Sequence, residues 1–159
     1  MKVSLFILAL SLLFFAVVTD IRAREIPDWI SVVFLLMGLV RLPYHGWGAL
    51  VGACVIFSCA FGLWLAGFMG GGDVKLIASS SLLFPPLWQI QYILDIAVMG
   101  GVLAVLYLVL RKVVSVPATP LYGRTLRIEC WRIRRGFALP YAVAIAAGFV
   151  VAALQGGFL

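Results

Sequence analysis

The sequence predicts an all-α membrane protein, a polytopic bundle of about six transmembrane helices that forms one membrane-embedded domain over residues 1–159. Hydrophobic residues make up 65% of the chain, charged residues only 11%, and the mean hydropathy is +1.18. Because soluble domains carry about 25% charged residues, this composition is typical of a polytopic membrane protein. Apolar segments close to the roughly 20 residues that cross a hydrocarbon core also recur along the whole chain.

Six apolar segments follow one another along the chain, at residues 3–19, 27–42, 48–69, 73–88, 90–110 and 137–156. The first segment begins after Lys2 and looks like a signal peptide. The residues after it, Thr19 to Arg24, make a poor cleavage site, so we expect a retained helix. The fourth segment is the weakest, because Pro85 and Pro86 should end or kink it. A re-entrant segment is the alternative to a full crossing there.

The distribution of cations predicts the topology. With six crossings, the loops at 20–26, 70–75 and 111–136 share one side of the membrane and carry ten lysine and arginine residues. The other side carries only Lys2 and Arg41. The positive-inside rule therefore places the three loops in the cytoplasm and both termini outside.

The formal net charge of +6 is then explained by topology and by contact with anionic membrane lipids. No aromatic and basic residues alternate as in a nucleic-acid-binding module, so nucleic acid is not expected as a partner. The three cysteines, Cys54, Cys59 and Cys130, form no C-x-x-C pair and have no nearby histidine. We therefore expect no zinc site, no disulfide framework and no other metal or cofactor.

Two carboxylates carry the functional prediction. Asp20 stands where the first apolar segment ends, and Asp73 follows three glycines. The topology puts both at the cytoplasmic face, where an acid is costly unless something uses or pairs it. Two carboxylates in contact share one proton near neutrality, because one pKa rises. One can then take a proton from water while the other protonates a carbonyl, which hydrolyses a peptide without a metal or covalent intermediate.

The glycines before Asp73 support this prediction. Without a Cβ, residues 70–72 can adopt positive φ and let a substrate backbone or another helix approach Asp73. The alternative is a plain turn in which Asp73 is the N-cap of the next helix. The two interpretations are compatible.

Three motifs together resemble those of a known family: Asp20-Ile-Arg-x-Arg-x-Ile-Pro, Gly70-Gly-Gly-Asp-Val-Lys-Leu, and Leu139-Pro-Tyr-Ala-x-Ala-Ile. They are similar to the motifs of the prepilin peptidases, membrane aspartic proteases of the G-x-G-D class. The resemblance covers nearly the whole chain. The short six-helix form resembles the enzymes of tight-adherence (Flp) pilus systems.

The resemblance implies that Asp20 and Asp73 are the catalytic aspartates. Within the same motifs, the residues expected to support them are Gly70, Gly72, Lys75, Ile26, Pro27 and Pro140. It also implies cleavage of the basic leader from prepilin or pseudopilin substrates at the cytoplasmic face of a bacterial inner membrane. Longer members carry a cysteine-rich zinc domain and methylate the new N-terminus. No such domain is present in this sequence, so methylation is not predicted.

Several polar residues have a less specific interpretation. Asp28 stands where the family usually has asparagine, and we expect it to cap the second helix rather than raise the pKa of the pair. For Lys75, adjustment of the pair's charge and anchoring at lipid head groups remain open. Glu25 is expected to form a solvated ion pair with neighbouring arginines. Asp95, near the outer start of the fifth helix, is expected to be an interfacial residue. Residues 124–135 are expected to form an amphipathic helix on the membrane surface.

Two other classes of protein compete with the peptidase. A small proton-coupled transporter would use the aspartates as a relay. Such proteins usually hold the key acid near the bilayer midplane within a repeated architecture, and neither feature is seen here. A non-catalytic subunit of a pilus or secretion assembly would tolerate Asp→Asn at both positions.

Overall fold

The computed structural model describes residues 2–113 and 140–157, most of which are helical. The helices are α1 (Lys2–Ala23), α2 (Asp28–His45), α3 (Trp47–Leu65), α4 (Gly71–Ser81), α5 (Pro86–Val113) and α6 (Tyr141–Ala152), and α6 continues into a π-helical turn, Ala153–Gly157. The predicted all-α membrane bundle is confirmed. By length and composition, the helices able to cross a membrane within the described residues are Ser4–Ala23, Trp47–Leu65 and Pro86–Leu110. The amphipathic helix predicted at 124–135 lies outside the described residues.

The break between the fourth and fifth helices differs in detail from the prediction. α4 has only 11 residues and ends at Ser81, and α5 begins at Pro86 rather than at residue 90. Proline suits the first turn of a helix, since its missing N–H would have no partner there. Pro86 therefore begins the fifth helix instead of belonging to the fourth.

The short helix α4 is enclosed by its neighbours. At 1.5 Å per residue it is about 16 Å long, and its residues from Leu76 to Ser81 are all buried. The chain then continues to Pro86, whose ring lies 3.1 Å from where a Cβ on Gly48 would be, at the start of α3. Residues 82–85 thus continue from the end of α4 and reach the end of the bundle that lies opposite Asp73.

Gln89 stabilises the non-helical backbone at this break. Its Nε2 donates hydrogen bonds to the carbonyl oxygens of Ala49 (2.8 Å) and Ser81 (3.1 Å). Ser80 Oγ also lies 2.8 Å from the hydroxyl of Tyr92, which joins α4 to α5. Irregular backbone within a bilayer requires such internal partners, because lipid offers none.

The core is built around Phe149 of α6, which is fully buried. Its ring contacts those of Phe6, Phe34, Phe84 and Tyr92, with centroids 5.1 to 6.4 Å apart. These four rings come from α1, α2, the α4–α5 connection and α5. The cluster therefore fixes α6 against most of the bundle, which in turn fixes the position of its N-terminal residues.

Candidate active site

Asp20 lies in the last turn of α1 and is only 7% exposed. A negative charge at a helix C-terminus is unfavourable, because the helix dipole is negative there. The structure offsets this with the N-terminus of α6, where the backbone N–H of Ala142 donates a 3.1 Å hydrogen bond to Asp20 Oδ2. The last motif of the sequence, which includes Pro140, thus reaches the first aspartate through the backbone. Pro140 is the N-cap residue of α6.

Asp73 is the third residue of α4, and Gly70 is the N-cap residue. The alternative in which Asp73 itself is the N-cap is therefore wrong. The carboxylate instead accepts a hydrogen bond from the backbone N–H of Gly70, as the third residue of a capping box does. This bond fixes the side chain close to the turn that precedes the helix.

Gly70 and Gly72 serve close approach rather than unusual backbone angles. Gly70 has φ −73°, and neither residue is among those with positive φ. A Cβ on Gly70 would lie 2.9 Å from Asp73 Oδ2, and one on Gly72 would lie 3.1 Å from Cβ of Ile26. The absence of side chains therefore gives Asp73 its space and lets the α1–α2 connection pack against α4.

The two aspartates line one polar pocket of about 340 Å³. Four of the six acidic residues of the chain border it. The residues around it are Asp20, Arg24, Glu25, Ile26, Asp28, Gly70, Gly71, Gly72 and Asp73. Four larger cavities in the described part of the chain, of about 400 to 640 Å³, are lined mainly by apolar side chains. The chemistry of its lining, rather than its size, distinguishes the small pocket.

The environment of Asp73 favours its protonated form. Burial and, as the smaller cause, the negative charge of Asp20 raise the pKa of this carboxyl from its usual 3.8 to about 7. The Gly70 hydrogen bond and the charge of Arg24 oppose the rise. The pocket thus holds a carboxyl group that is partly protonated at neutral pH next to a second carboxylate.

Two expectations about the pocket's rim are corrected. Asp28 is the first residue of α2 but makes no capping hydrogen bond, and the N-cap residue is Pro27. Asp28 Oδ1 instead lies 2.8 Å from Lys75 Nζ in an exposed ion pair. Lys75 is therefore paired with Asp28, a role that neither open interpretation included.

The sequence interpretation overlooked Arg24, which lines the pocket, and Ala142, which donates to Asp20. Arg24 lies in the motif that begins at Asp20 and Ala142 in the motif that begins at Leu139. Their place in these motifs was the signal that could have identified them. The sequence prediction placed Asp95 too close to the start of the fifth helix. It is the tenth residue of α5, 7% exposed, and accepts a hydrogen bond from Gln91. In the described part of the chain, no cluster of histidine, cysteine or acidic residues could hold a metal.

Fold and pocket together define a helical membrane protein with two carboxylates in one polar pocket. Residues 7–109 match the type IV leader peptidase family. The chain is also 34% identical, over 153 residues, to the prepilin leader peptidase/N-methyltransferase of Bacillus subtilis (strain 168). That alignment covers 92% of this chain and 54% of the relative, so the chain spans about half of the relative's length. No solved structure matches.

The chain therefore belongs to the type IV leader peptidase family.

Proposed function

We propose that the chain is a membrane aspartic endopeptidase that removes the leader peptide from prepilin or pseudopilin substrates. The observation that carries this proposal is the pairing of Asp20 and Asp73 in one pocket, with the pKa of Asp73 raised to about 7. A general acid works best when its pKa lies near the working pH. Family membership and the relative's name supply the substrate class.

The two carboxyl groups have different roles in this proposal. The N–H of Ala142 and the N-terminus of α6 stabilise negative charge on Asp20, so Asp20 acts as the base. Asp73 holds the proton of the pair and acts as the acid. Water loses a proton to Asp20 and attacks the scissile carbonyl carbon, while Asp73 protonates the carbonyl oxygen.

The tetrahedral intermediate then collapses with breakage of the C–N bond. The amide nitrogen receives the proton that Asp20 took from water, and Asp73 recovers its proton from the gem-diol hydroxyl. Both carboxyl groups return to their starting state. The step needs no other reactant than water and the peptide.

The proposed setting is a bacterial inner membrane that the protein crosses several times, in contact with lipid. The pocket faces the cytoplasm and both termini lie outside. Three long apolar helices in the described part of the chain and the cation distribution support this arrangement. The substrate's apolar helix would lie in the bilayer beside the enzyme, with its leader reaching the pocket.

The test is co-expression with a candidate prepilin, followed by mass spectrometry of the substrate. We expect wild type to remove the leader and Asp20→Asn or Asp73→Asn to lose cleavage. Asp95→Asn is the matched control, because it removes a buried carboxylate that does not line the pocket, and it should retain cleavage. Equal cleavage by wild type and both pocket variants would contradict the two-aspartate mechanism and agree with a non-catalytic role for the acids.

A further inference from the structure

Arg24 has an unusual backbone conformation. Within residues 2–113 and 140–157 it is the one non-glycine residue with positive φ, at 59°. Its N–H donates a 2.9 Å hydrogen bond to the carbonyl oxygen of Asp20, which ends α1. This is the αL arrangement in which the residue after the helix is usually glycine, because other residues are strained there.

The turn by itself does not explain an arginine at this position. Glycine or asparagine would end α1 with the same geometry and less strain. Strained residues persist where the surrounding structure holds them, and they cluster at functional sites. The Arg24 side chain must therefore make interactions whose benefit offsets the free energy lost to strain in its backbone.

The Arg24 side chain lines the same pocket as Asp20 and Asp73. It is partly buried, and its positive charge acts on Asp73. Arg22, two residues earlier in the last turn of α1, is exposed and does not border the pocket. The two arginines of the motif thus differ in environment although they are near neighbours in sequence.

Other charged groups around the pocket do not replace Arg24. Glu25 and Asp28, at the α1–α2 connection and the start of α2, add negative charge. Lys75 of α4 is engaged with Asp28 at 2.8 Å. From α6, the hydroxyl of Tyr141 interacts electrostatically with Asp73 but carries no positive charge.

We propose that Arg24 is a positioning residue for the hydrolysis: its left-handed backbone brings the guanidinium into the pocket, where its charge keeps the carboxyl pair at one net negative charge. This inference rests on the proposed peptidase function. In this inference, the positive charge of Arg24 serves catalysis rather than membrane topology.

The decisive variant is Arg24→Gly, which keeps the left-handed turn and removes the charge. We expect it to melt at a higher temperature than wild type while cleaving the prepilin about tenfold more slowly at any pH on the acidic limb of the pH–rate profile. The acidic limb of its pH–rate profile should move to higher pH by about one unit, because a positive charge no longer opposes protonation of the pair. Arg24→Asn should behave similarly, and Arg24→Lys should retain most of the wild-type rate and profile.

Arg22→Gly is the matched control, since it removes a cation from the same helix end but lies within the helix. It should melt at a lower temperature and leave the rate and the pH profile unchanged. Wild-type rates and profiles for both Arg24→Gly and Arg24→Asn would overturn the inference. Failure of the proposed function is distinguishable, because wild type would then not cleave, or Asp73→Asn would cleave as wild type does.

Discussion

Asp73, the proposed catalytic acid, lies in an environment that also lowers the stability of the folded protein. Its carboxyl is buried next to Asp20, and the pKa of about 7 records how strongly the pocket disfavours its charge. At neutral pH and above, the folded state must either hold that charge or bind an extra proton. When a functional site lowers stability in this way, the folded protein should become more stable once the ionisable group is replaced.

Asp73→Asn is predicted to stabilise the protein at alkaline pH. The folded-state pKa of Asp73 lies above its ordinary value of 3.8, so wild-type stability should fall as pH rises from about 4 to about 7 and then level off. The asparagine variant lacks this loss and should exceed wild type at pH 8 by about 1 to 3 kcal/mol. Thermal unfolding in detergent at pH 5 and pH 8 measures this, and an unchanged difference between the two pH values would contradict it.

The sequence singled out the two aspartates and the neighbouring Gly70, Gly72 and Ile26, but not the partner of Asp28 or the donor to Asp20. Asp20 and Asp73 stood out because acids are rare in this chain and costly near a membrane. The partner of Asp28 could not be predicted, because Lys75 is 47 residues away and the contact depends on how α2 packs against α4. The donor to Asp20 is 122 residues distant and belongs to the backbone, so its residue type gives no signal.

Among the helices, the α4–α5 break shows what proline alone predicts. Pro85 and Pro86 indicated correctly that no continuous helix runs through them. The end of α4 at Ser81 depends on Gln89, whose side chain satisfies the carbonyl of Ser81 and could not be assigned to it from sequence. Helix existence therefore followed from local composition, and the exact boundary followed from tertiary contacts.

Helices α5 and α6 pack closely where Gly148 lies against Ile96. A Cβ on Gly148 would lie 2.7 Å from the backbone nitrogen of Ile96, so Gly148→Ala must push the helices apart. We expect it to destabilise the protein by about 1 to 3 kcal/mol and to reduce cleavage, because α6 carries the donor to Asp20. Both are measured by detergent unfolding and the prepilin assay.

Gly101→Ala is the matched control for Gly148→Ala. Gly101 also lies within a helix, but a Cβ there would meet nothing within 4 Å. Alanine should stabilise the helix by about 0.5 to 1 kcal/mol. Equal effects of the two substitutions would show that Gly148 does not set the spacing between α5 and α6.

For the whole molecule, the topology prediction concerns the direction in which the pocket faces. A reporter phosphatase fused after Leu159 should be active, because the enzyme folds only outside the cytoplasm and the C-terminus is predicted there. The same reporter fused after Ala66, in the α3–α4 connection, should be inactive. The reverse pattern would place the carboxylates outside and exclude cleavage of a cytoplasmic leader.

The unequal lengths of the helices have a consequence for the bilayer. The Tyr141 hydroxyl at the start of α6 lies 3.2 Å from where a Cβ on Gly100 would be. α5 then runs 13 residues further to Val113, about 20 Å, and its exposed side chains there include Val102, Val105 and Val109. Around the end of α1, Arg22 and Glu25 are exposed close to the level of the aspartates.

The surface of α5 therefore requires hydrocarbon at a height where the α1–α2 connection requires solvent. A bilayer meets such a mismatch by thinning locally. We expect the bilayer surface on the side of the aspartates to slope around the protein and to form a depression beside α1 and α2. Such a depression would supply the water that the proposed hydrolysis consumes without opening a channel through the bundle.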